Sequence, residues 1–180
     1  ERHGFRTIGV LSTHPGEGKT TSAMNLAACL GRTRGRRGRV LLVDGDTRQR
    51  TLTRLLCGAA PAVCGEPVLT ATAFEGVDFL GALPAPDAYA LHAPAAWVEM
   101  LRDLSERYPH VVLDAPAVLA DPEGVVLREC VEALVLVVEV GRTTRKAVEE
   151  AVGMVGRRVV GVILNGADEA SGGFAGGIRS

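Results

Sequence analysis

Residues 8–21 read Ile8-Gly-Val-Leu-Ser-Thr-His-Pro-Gly-Glu-Gly-Lys-Thr-Thr21, an apolar run that breaks into a glycine-rich turn. The apolar run predicts a buried strand, and a helical pattern follows the turn. Glycines let consecutive backbone N–H groups converge on phosphate oxygens, and the N-terminus of the next helix adds its partial positive charge. Lys19 would supply a mobile cation and Thr20 a hydroxyl ligand for Mg²⁺. The stretch therefore predicts a strand leading into a phosphate-binding loop.

The loop departs at one position from the strict pattern G-x-x-x-x-G-K-[ST], which has glycine where this chain has Thr13. Taken alone, a glycine-rich turn that caps a helix is the alternative. The triplet Gly-Lys-Thr nevertheless stands between a strand pattern and a helix pattern, which is the context that the motif requires. The predicted nucleotide-binding residues of the loop are Pro15, Gly16, Glu17, Gly18, Lys19, Thr20 and Thr21.

Two further apolar runs end in acidic residues. Residues 39–48 read Arg-Val-Leu-Leu-Val-Asp-Gly-Asp-Thr-Arg, and residues 110–116 read His-Val-Val-Leu-Asp-Ala-Pro. Ligands of an open parallel sheet bind at the C-terminal ends of its strands, so Asp44, Asp46 and Asp114 are expected to converge on the loop. Such hard oxygen ligands suit Mg²⁺. For each aspartate alone, a helix N-cap or a turn residue is the alternative.

Continuous Val/Leu runs alternate with amphipathic stretches along the chain. This alternation predicts an α/β fold, a single P-loop domain with a mostly parallel sheet and helices on both faces. We place the domain at residues 1–165 and a flexible, Gly-rich tail at 166–180. The predicted strands are 6–12, 39–44, 77–83, 110–114, 133–140 and 159–165, and the predicted helices are 19–31, 52–57, 95–107, 122–130 and 143–155.

The composition agrees with one domain of this kind. The chain has 180 residues, of which 47% are hydrophobic, enough for a single well-buried core. Its 20 basic and 21 acidic residues argue against a general nucleic-acid binder, which needs a cationic excess. The four cysteines lack metal-binding spacing. With neither a signal peptide nor a membrane-length apolar run, we expect a cytoplasmic location.

The order of the three motifs resembles the Walker A, A′ and B motifs of the bacterial tyrosine kinases (BY-kinases) of capsule and exopolysaccharide biosynthesis, within the MinD/ParA-like P-loop ATPases. The resemblance extends to Asn25-Leu-Ala, to residues 114–121 and to the late strand at 159–165. MinD/ParA proteins carry a signature lysine at position 14. His14, followed by proline, is similar to the BY-kinase form.

The resemblance implies Mg²⁺ and ATP as cofactors, with ATP hydrolysis or phosphotransfer to tyrosine as the activity. Lys19 and the loop amides would neutralise the β- and γ-phosphates, and Thr20 would bind Mg²⁺ directly. Asp44 and Asp114 would hold Mg²⁺ or its waters, and Asp44 would also accept the proton of an attacking tyrosine or water. Asp46 completes the implied catalytic set.

The resemblance also has implications beyond the phosphates. In related P-loop ATPases an asparagine that corresponds to Asn165 contacts adenine; the alternative here is a turn residue. A membrane polysaccharide co-polymerase or activator is the implied partner, which would hold the chain at the inner face of the plasma membrane without a span of its own. A homo-oligomer is a further implied state.

Two features depart from the family. BY-kinases end in a tyrosine cluster that is autophosphorylated, whereas residues 166–180 contain no tyrosine, and Tyr89 and Tyr108 lie inside the domain. The family's upstream ring-assembly helix has no counterpart in residues 1–6. The sequence thus leaves two alternatives open: a MinD/ParA-type localisation or partition ATPase, and a nucleotide-binding scaffold without kinase activity. It specifies neither the phosphoacceptor, the oligomeric state nor the identity of the partner.

Overall fold

The computed structural model describes residues 4–34, 38–57, 69–81 and 94–167. In chain order its elements are β1 (Thr7–Ser12), α1 (Lys19–Arg34), β2 (Val40–Asp44), α2 (Thr51–Cys57), β3 (Leu69–Ala71), β4 (Val77–Leu80), α3 (Pro94–Arg107), β5 (His110–Asp114), α4 (Pro122–Val126), β6 (Ala133–Glu139), α5 (Arg145–Val155) and β7 (Val159–Asn165). Short 3-10 turns follow α4 and α5, at Leu127–Glu129 and Gly156–Arg158.

The seven strands form one sheet in the order β3-β4-β2-β5-β1-β6-β7. All neighbouring pairs are parallel except β3 and β4, which are antiparallel. Strand β5 lies between β1 and β2, and Asp114 at its C-terminal end is in register with Asp44. The topology therefore brings the phosphate-binding loop and both acid-bearing strand ends to one edge of the sheet.

The core lies on both faces of this sheet. Alternate residues of β2 enter different clusters: Leu41 belongs to the cluster that includes residues of α3 and α5, whereas Leu42 belongs to the cluster that includes residues of α1 together with Leu52 of α2. Every residue of β2 and of β5 is buried, as expected for parallel strands covered by helices on both sides. The predicted fold class, a mostly parallel α/β sheet with helices on both faces, is confirmed.

Several predicted boundaries were wrong. Helix α1 continues through Gly31 to Arg34. The glycine marks close packing against the backbone of Glu75 and not the end of the helix, since a Cβ on Gly31 would lie 2.6 Å from the Glu75 carbonyl oxygen. The predicted helix 122–130 is a five-residue helix followed by a 3-10 turn, a common way for a helix to end. The strand predicted at 77–83 ends at Leu80.

Strand β3 was not predicted at all. Its three residues are exposed and pair only with β4, so they carry no buried pattern that a sequence could reveal. The predicted tail lies outside the described residues from position 168 onward. None of the helices in the described part of the chain combines the length and the apolarity needed to cross a bilayer.

Candidate functional site

The loop between β1 and α1 turns sharply at two glycines. Gly16 has φ 88° and Gly18 has φ 91°, a left-handed conformation that glycine adopts without steric cost. A Cβ on Gly18 would lie 2.3 Å from Asn165 Nδ2. Helix α1 begins directly after the loop, so its unpaired N-terminal amides and its dipole favour an anion at this place.

Lys19 is buried at the start of α1, with an exposed fraction of 6%. Its Nζ atom lies 3.3 Å from Asp46 Oδ2 and 3.6 Å from Asp114 Oδ1. Three charged groups predicted from separate motifs thus meet in one buried cluster. Because this cluster has two carboxylates and one ammonium, it can accept a further cation.

Thr20 and Asp114 complete the cluster. The Thr20 hydroxyl donates a 2.7 Å hydrogen bond to Asp114 Oδ2, whereas Asp114 Oδ1 accepts none within the described chain. Burial raises the pKa of Asp114 to about 6, although the Lys19 charge and the Thr20 hydrogen bond oppose the rise. A buried carboxylate oxygen beside a threonine hydroxyl, at a helix N-terminus, is a donor set that fits Mg²⁺ and phosphate.

Asp44 has a different environment. Its Oδ2 accepts hydrogen bonds from the Thr53 amide at 2.8 Å and the Thr53 hydroxyl at 2.7 Å, and its Oδ1 accepts from the Asp46 amide at 3.1 Å. Burial raises the pKa of Asp44, and the bonds from Thr53 lower it. Asp44 therefore fixes the β2–α2 loop, and with it the side chain that pairs with Lys19. Its predicted role as a metal ligand stays a prediction.

The remaining predicted loop residues divide between surface and interior. Pro15, Gly16 and Thr21 are exposed, whereas the Glu17 side chain is fully buried. Asn165, at the end of β7, donates a 3.0 Å hydrogen bond from Nδ2 to the Glu17 carbonyl oxygen. The predicted site residues of β7 and of the loop are thus in contact, and the adenine role of Asn165 stays a prediction.

Sequence reasoning missed a bridge between the loops that follow β2 and β5. The Thr47 hydroxyl donates to Glu123 Oε2 at 3.0 Å, and Arg48 Nε lies 3.4 Å from Asp121 Oδ2. Asp121 also caps α4, because its side chain accepts a hydrogen bond from the Glu123 amide. The acidic residues at the start of α4 were visible in the sequence. Their partners are more than seventy positions away, so no local pattern pairs them.

Comparison with known proteins shows the family of the chain. No protein-family model matches the chain. The chain is 26% identical over 181 residues to the tyrosine-protein kinase CpsD of Streptococcus pneumoniae, covering 91% of this chain and 77% of CpsD. The solved VpsO kinase domain is 30% identical with a TM-score of 0.71, over 92% of this chain and 87% of that domain. The chain belongs to the bacterial tyrosine kinase family.

Further similarities of this BY-kinase family chain extend to a longer relative and to a solved structure with the same fold. The succinoglycan biosynthesis transport protein ExoP of Rhizobium meliloti is 28% identical over 179 residues, 91% of this chain but only 22% of ExoP. The septum site-determining protein MinD of Pyrococcus horikoshii, solved with Mg-ADP, has a TM-score of 0.69 at 24% identity, over 88% of this chain and 69% of MinD. That likeness shows a common fold.

Proposed function

We propose that this chain is a Mg²⁺–ATP-dependent P-loop phosphotransferase of BY-kinase type, acting in capsule or exopolysaccharide biosynthesis. The observation that carries the proposal is the buried cluster in which Lys19, Thr20, Asp46 and Asp114 meet beside the glycine-rich loop. Kinship with CpsD, which is named a tyrosine-protein kinase, supports the same activity.

Each residue of the cluster has a defined task in this proposal. Lys19 leaves its carboxylate partners and binds the β- and γ-phosphate oxygens, because the phosphates together carry more negative charge than either aspartate. Thr20, Asp44 and Asp114 hold Mg²⁺ or its waters. When bound, Mg²⁺ supplies the positive charge that neutralises the phosphate oxygens. The exposed Thr21 and Pro15 border the loop, and Asn165 lies at the adenine side.

The chemistry asked of the protein is positioning and charge stabilisation, since phosphoryl transfer passes through a loose transition state. Asp44 accepts the proton of the attacking tyrosine or water. Because burial raises its pKa, Asp44 is a better base than an exposed carboxylate. The hydrogen bonds from Thr53 hold the carboxylate in a fixed orientation while it does so.

The acceptor comes from another polypeptide in this proposal. Tyr108 is buried, and the relative ExoP, a transport protein, is far longer than the matched region. A membrane polysaccharide co-polymerase or activator would supply the tyrosine and hold the chain at the inner face of the membrane, and a homo-oligomer fits the same arrangement. In the absence of this partner, we expect slow ATP hydrolysis.

Labelled ATP separates this function from its alternatives. The purified chain is incubated with Mg²⁺ and γ-labelled ATP, alone and with a tyrosine-containing cytoplasmic segment of the partner. Label on the partner's tyrosine supports the kinase. Release of free phosphate that a partition site or a membrane surface stimulates would instead support a MinD-type ATPase, whose fold is shared. ATP binding without hydrolysis or transfer in every mixture would instead support a nucleotide-binding scaffold.

A further inference from the structure

Glu17 occupies an unusual place for an acidic side chain. It lies within the phosphate-binding loop, yet its exposed fraction is 0%. Removing a carboxylate from water is costly unless hydrogen bonds replace those that water made. The buried position therefore depends on donors within the fold.

Two donors meet this carboxylate. The His14 amide donates to Oε2 at 2.9 Å, and the Thr143 hydroxyl donates to Oε1. Thr143 lies in the turn between β6 and α5, 126 positions along the chain. Glu17 thus joins the nucleotide loop to a turn that belongs to none of the Walker motifs.

The loop needs such an attachment in its second half. Its first half is held by the segment that follows β5, because the Val118 and Leu119 amides donate to the carbonyl oxygens of Ser12 and Thr13 at 2.8 and 3.2 Å. The second half contains two glycines in the left-handed region, which have no side chains to pack. Between them, the Glu17 side chain and the bond from Asn165 to the Glu17 carbonyl are the described anchors.

The turn that carries Thr143 is itself well fixed. The Thr143 amide donates to the Glu139 carbonyl at 3.0 Å, and the Val140 amide donates to the Asn165 carbonyl at 2.8 Å. Arg142 pairs with Glu139 at 2.9 Å, and its Nη1 lies 3.3 Å from where a Cβ on Gly16 would be. The turn therefore lies against the loop as a rigid support.

We infer that Thr143 and Glu17 form a tether that preorganises the phosphate-binding loop, which makes Thr143 a positioning residue for nucleotide binding. The inference rests on the proposed nucleotide site. A tethered loop has its amides in place before the phosphates arrive, so binding does not have to order them. Without the tether, part of the binding free energy is spent on ordering the loop.

The chain offers a matched control at the next position. Thr144 is the N-cap of α5, where its hydroxyl accepts a hydrogen bond from the Ala147 amide at 3.2 Å. Thr143→Ala should weaken the affinity for Mg²⁺–ATP about tenfold, since it removes one hydrogen bond to a buried carboxylate. Thr143→Ser should restore it. Thr144→Ala should lower the melting temperature and leave the affinity unchanged.

A double-mutant cycle tests whether the two residues act together. Glu17→Ala should weaken the affinity for Mg²⁺–ATP at least as much as Thr143→Ala does. The double variant should bind no more weakly than Glu17→Ala alone, because all three variants lose the same tether. Calorimetry gives the affinities, and thermal melts give the stabilities.

Hydrogen exchange of the His14 amide and of the amides at 16–19 in nucleotide-free protein provides an independent measurement. Thr143→Ala should speed this exchange and Thr144→Ala should not. Wild-type protein that binds no Mg²⁺–ATP would refute the proposed function, while the exchange result would still decide the tether. Unchanged exchange and affinity in Thr143→Ala, or equal losses of affinity in both threonine variants, would overturn the inference.

Discussion

Thr20 and Asp114 stand 94 positions apart in sequence and are joined by a hydrogen bond of 2.7 Å between Thr20 Oγ1 and Asp114 Oδ2. The bond connects the first turn of α1 to the C-terminal end of the central strand β5. It leaves Asp114 Oδ1 facing Lys19 at 3.6 Å, without a hydrogen-bond donor in the described chain. The geometry thus combines a carboxylate fixed by Thr20 with one oxygen that accepts no hydrogen bond from the described residues, and carboxylate oxygens are ligands that suit Mg²⁺.

The first prediction concerns pH. The pKa of Asp114 is raised from 3.8 to about 6, so the folded state holds its proton more tightly than the unfolded chain does. Its contribution to stability is therefore full below pH 3.8 and is lost as the pH rises through about 6. With about 1.4 kcal/mol per pKa unit, the whole loss from below pH 3.8 to neutral pH is about 3 kcal/mol.

Asp114→Asn should remove this dependence. Chemical unfolding with EDTA and without nucleotide, at several values between pH 4.5 and 7.5, gives the free energy of unfolding of each protein. The stability of the wild type relative to the variant should fall as the pH rises. A difference that is constant over this range would contradict the assignment.

The second prediction concerns Lys19. Lys19→Ala should reduce Mg²⁺–ATP affinity below detection by calorimetry, because the ammonium is the mobile cation of the loop. Since Lys19 is buried and paired with Asp46 and Asp114, its loss should also destabilise the fold by about 3 kcal/mol. Lys146→Ala, on the exposed side of α5, is the matched control. Wild-type affinity for Mg²⁺–ATP in a folded Lys19→Ala variant would contradict the assignment of this loop as a Walker A motif.

The third prediction separates binding from turnover at Asp44. Asp44→Asn should lower turnover about 100-fold, more than it lowers nucleotide affinity, because the carboxylate acts on charge that develops in the transition state. It should also cost about 1–3 kcal/mol of stability, since an amide group would meet the Thr53 donors. Steady-state hydrolysis and melts measure both effects, with the exposed Asp103→Asn as the control. Unchanged turnover would make Asp44 purely structural.

The meeting of Asp44, Asp46 and Asp114 at one sheet edge follows from a general rule of parallel sheets, so the sequence was sufficient to predict it. The details depended on side-chain contacts that no local pattern encodes. Thr53 takes up one oxygen of Asp44, and Thr143 reaches Glu17 across 126 positions. Hydrophobic periodicity reports burial, and it does not report which donor meets which carboxylate.

The fourth prediction uses two glycines that differ in surroundings. Gly18→Ala should abolish nucleotide binding, because its φ is 91° and a Cβ would lie 2.3 Å from Asn165 Nδ2. Gly153→Ala, in α5 with nothing within 4 Å of the added atom, should raise stability by about 1 kcal/mol and leave binding intact. Calorimetry and melts on both variants test the pair, and full nucleotide affinity in Gly18→Ala would show that the loop is not closely packed.

The last prediction concerns the phosphoacceptor. Tyr108 has an exposed fraction of 7%, and its hydroxyl donates to Asp78 Oδ2 at 3.2 Å. Asp78 is also held by two hydrogen bonds from Arg39 at 2.8 and 2.7 Å. A tyrosine fixed in this way, where β5 begins, lies at the opposite end of that strand from Asp114. Tyr89 lies outside the described residues.

The isolated chain should therefore not phosphorylate itself. After incubation of the purified protein with Mg²⁺–ATP, phosphotyrosine mass spectrometry should find neither Tyr108 nor Tyr89 modified, because Tyr108 would have to break its packing and its bond to Asp78 to reach another active site. Adding a partner segment that carries tyrosines should produce phosphotyrosine on that segment, and Lys19→Ala should abolish it. Tyr108→Phe should leave this transfer unchanged, since the ring packs but does not react. Stoichiometric phosphate on Tyr108 or Tyr89 in the isolated wild type would show that the chain supplies its own acceptor.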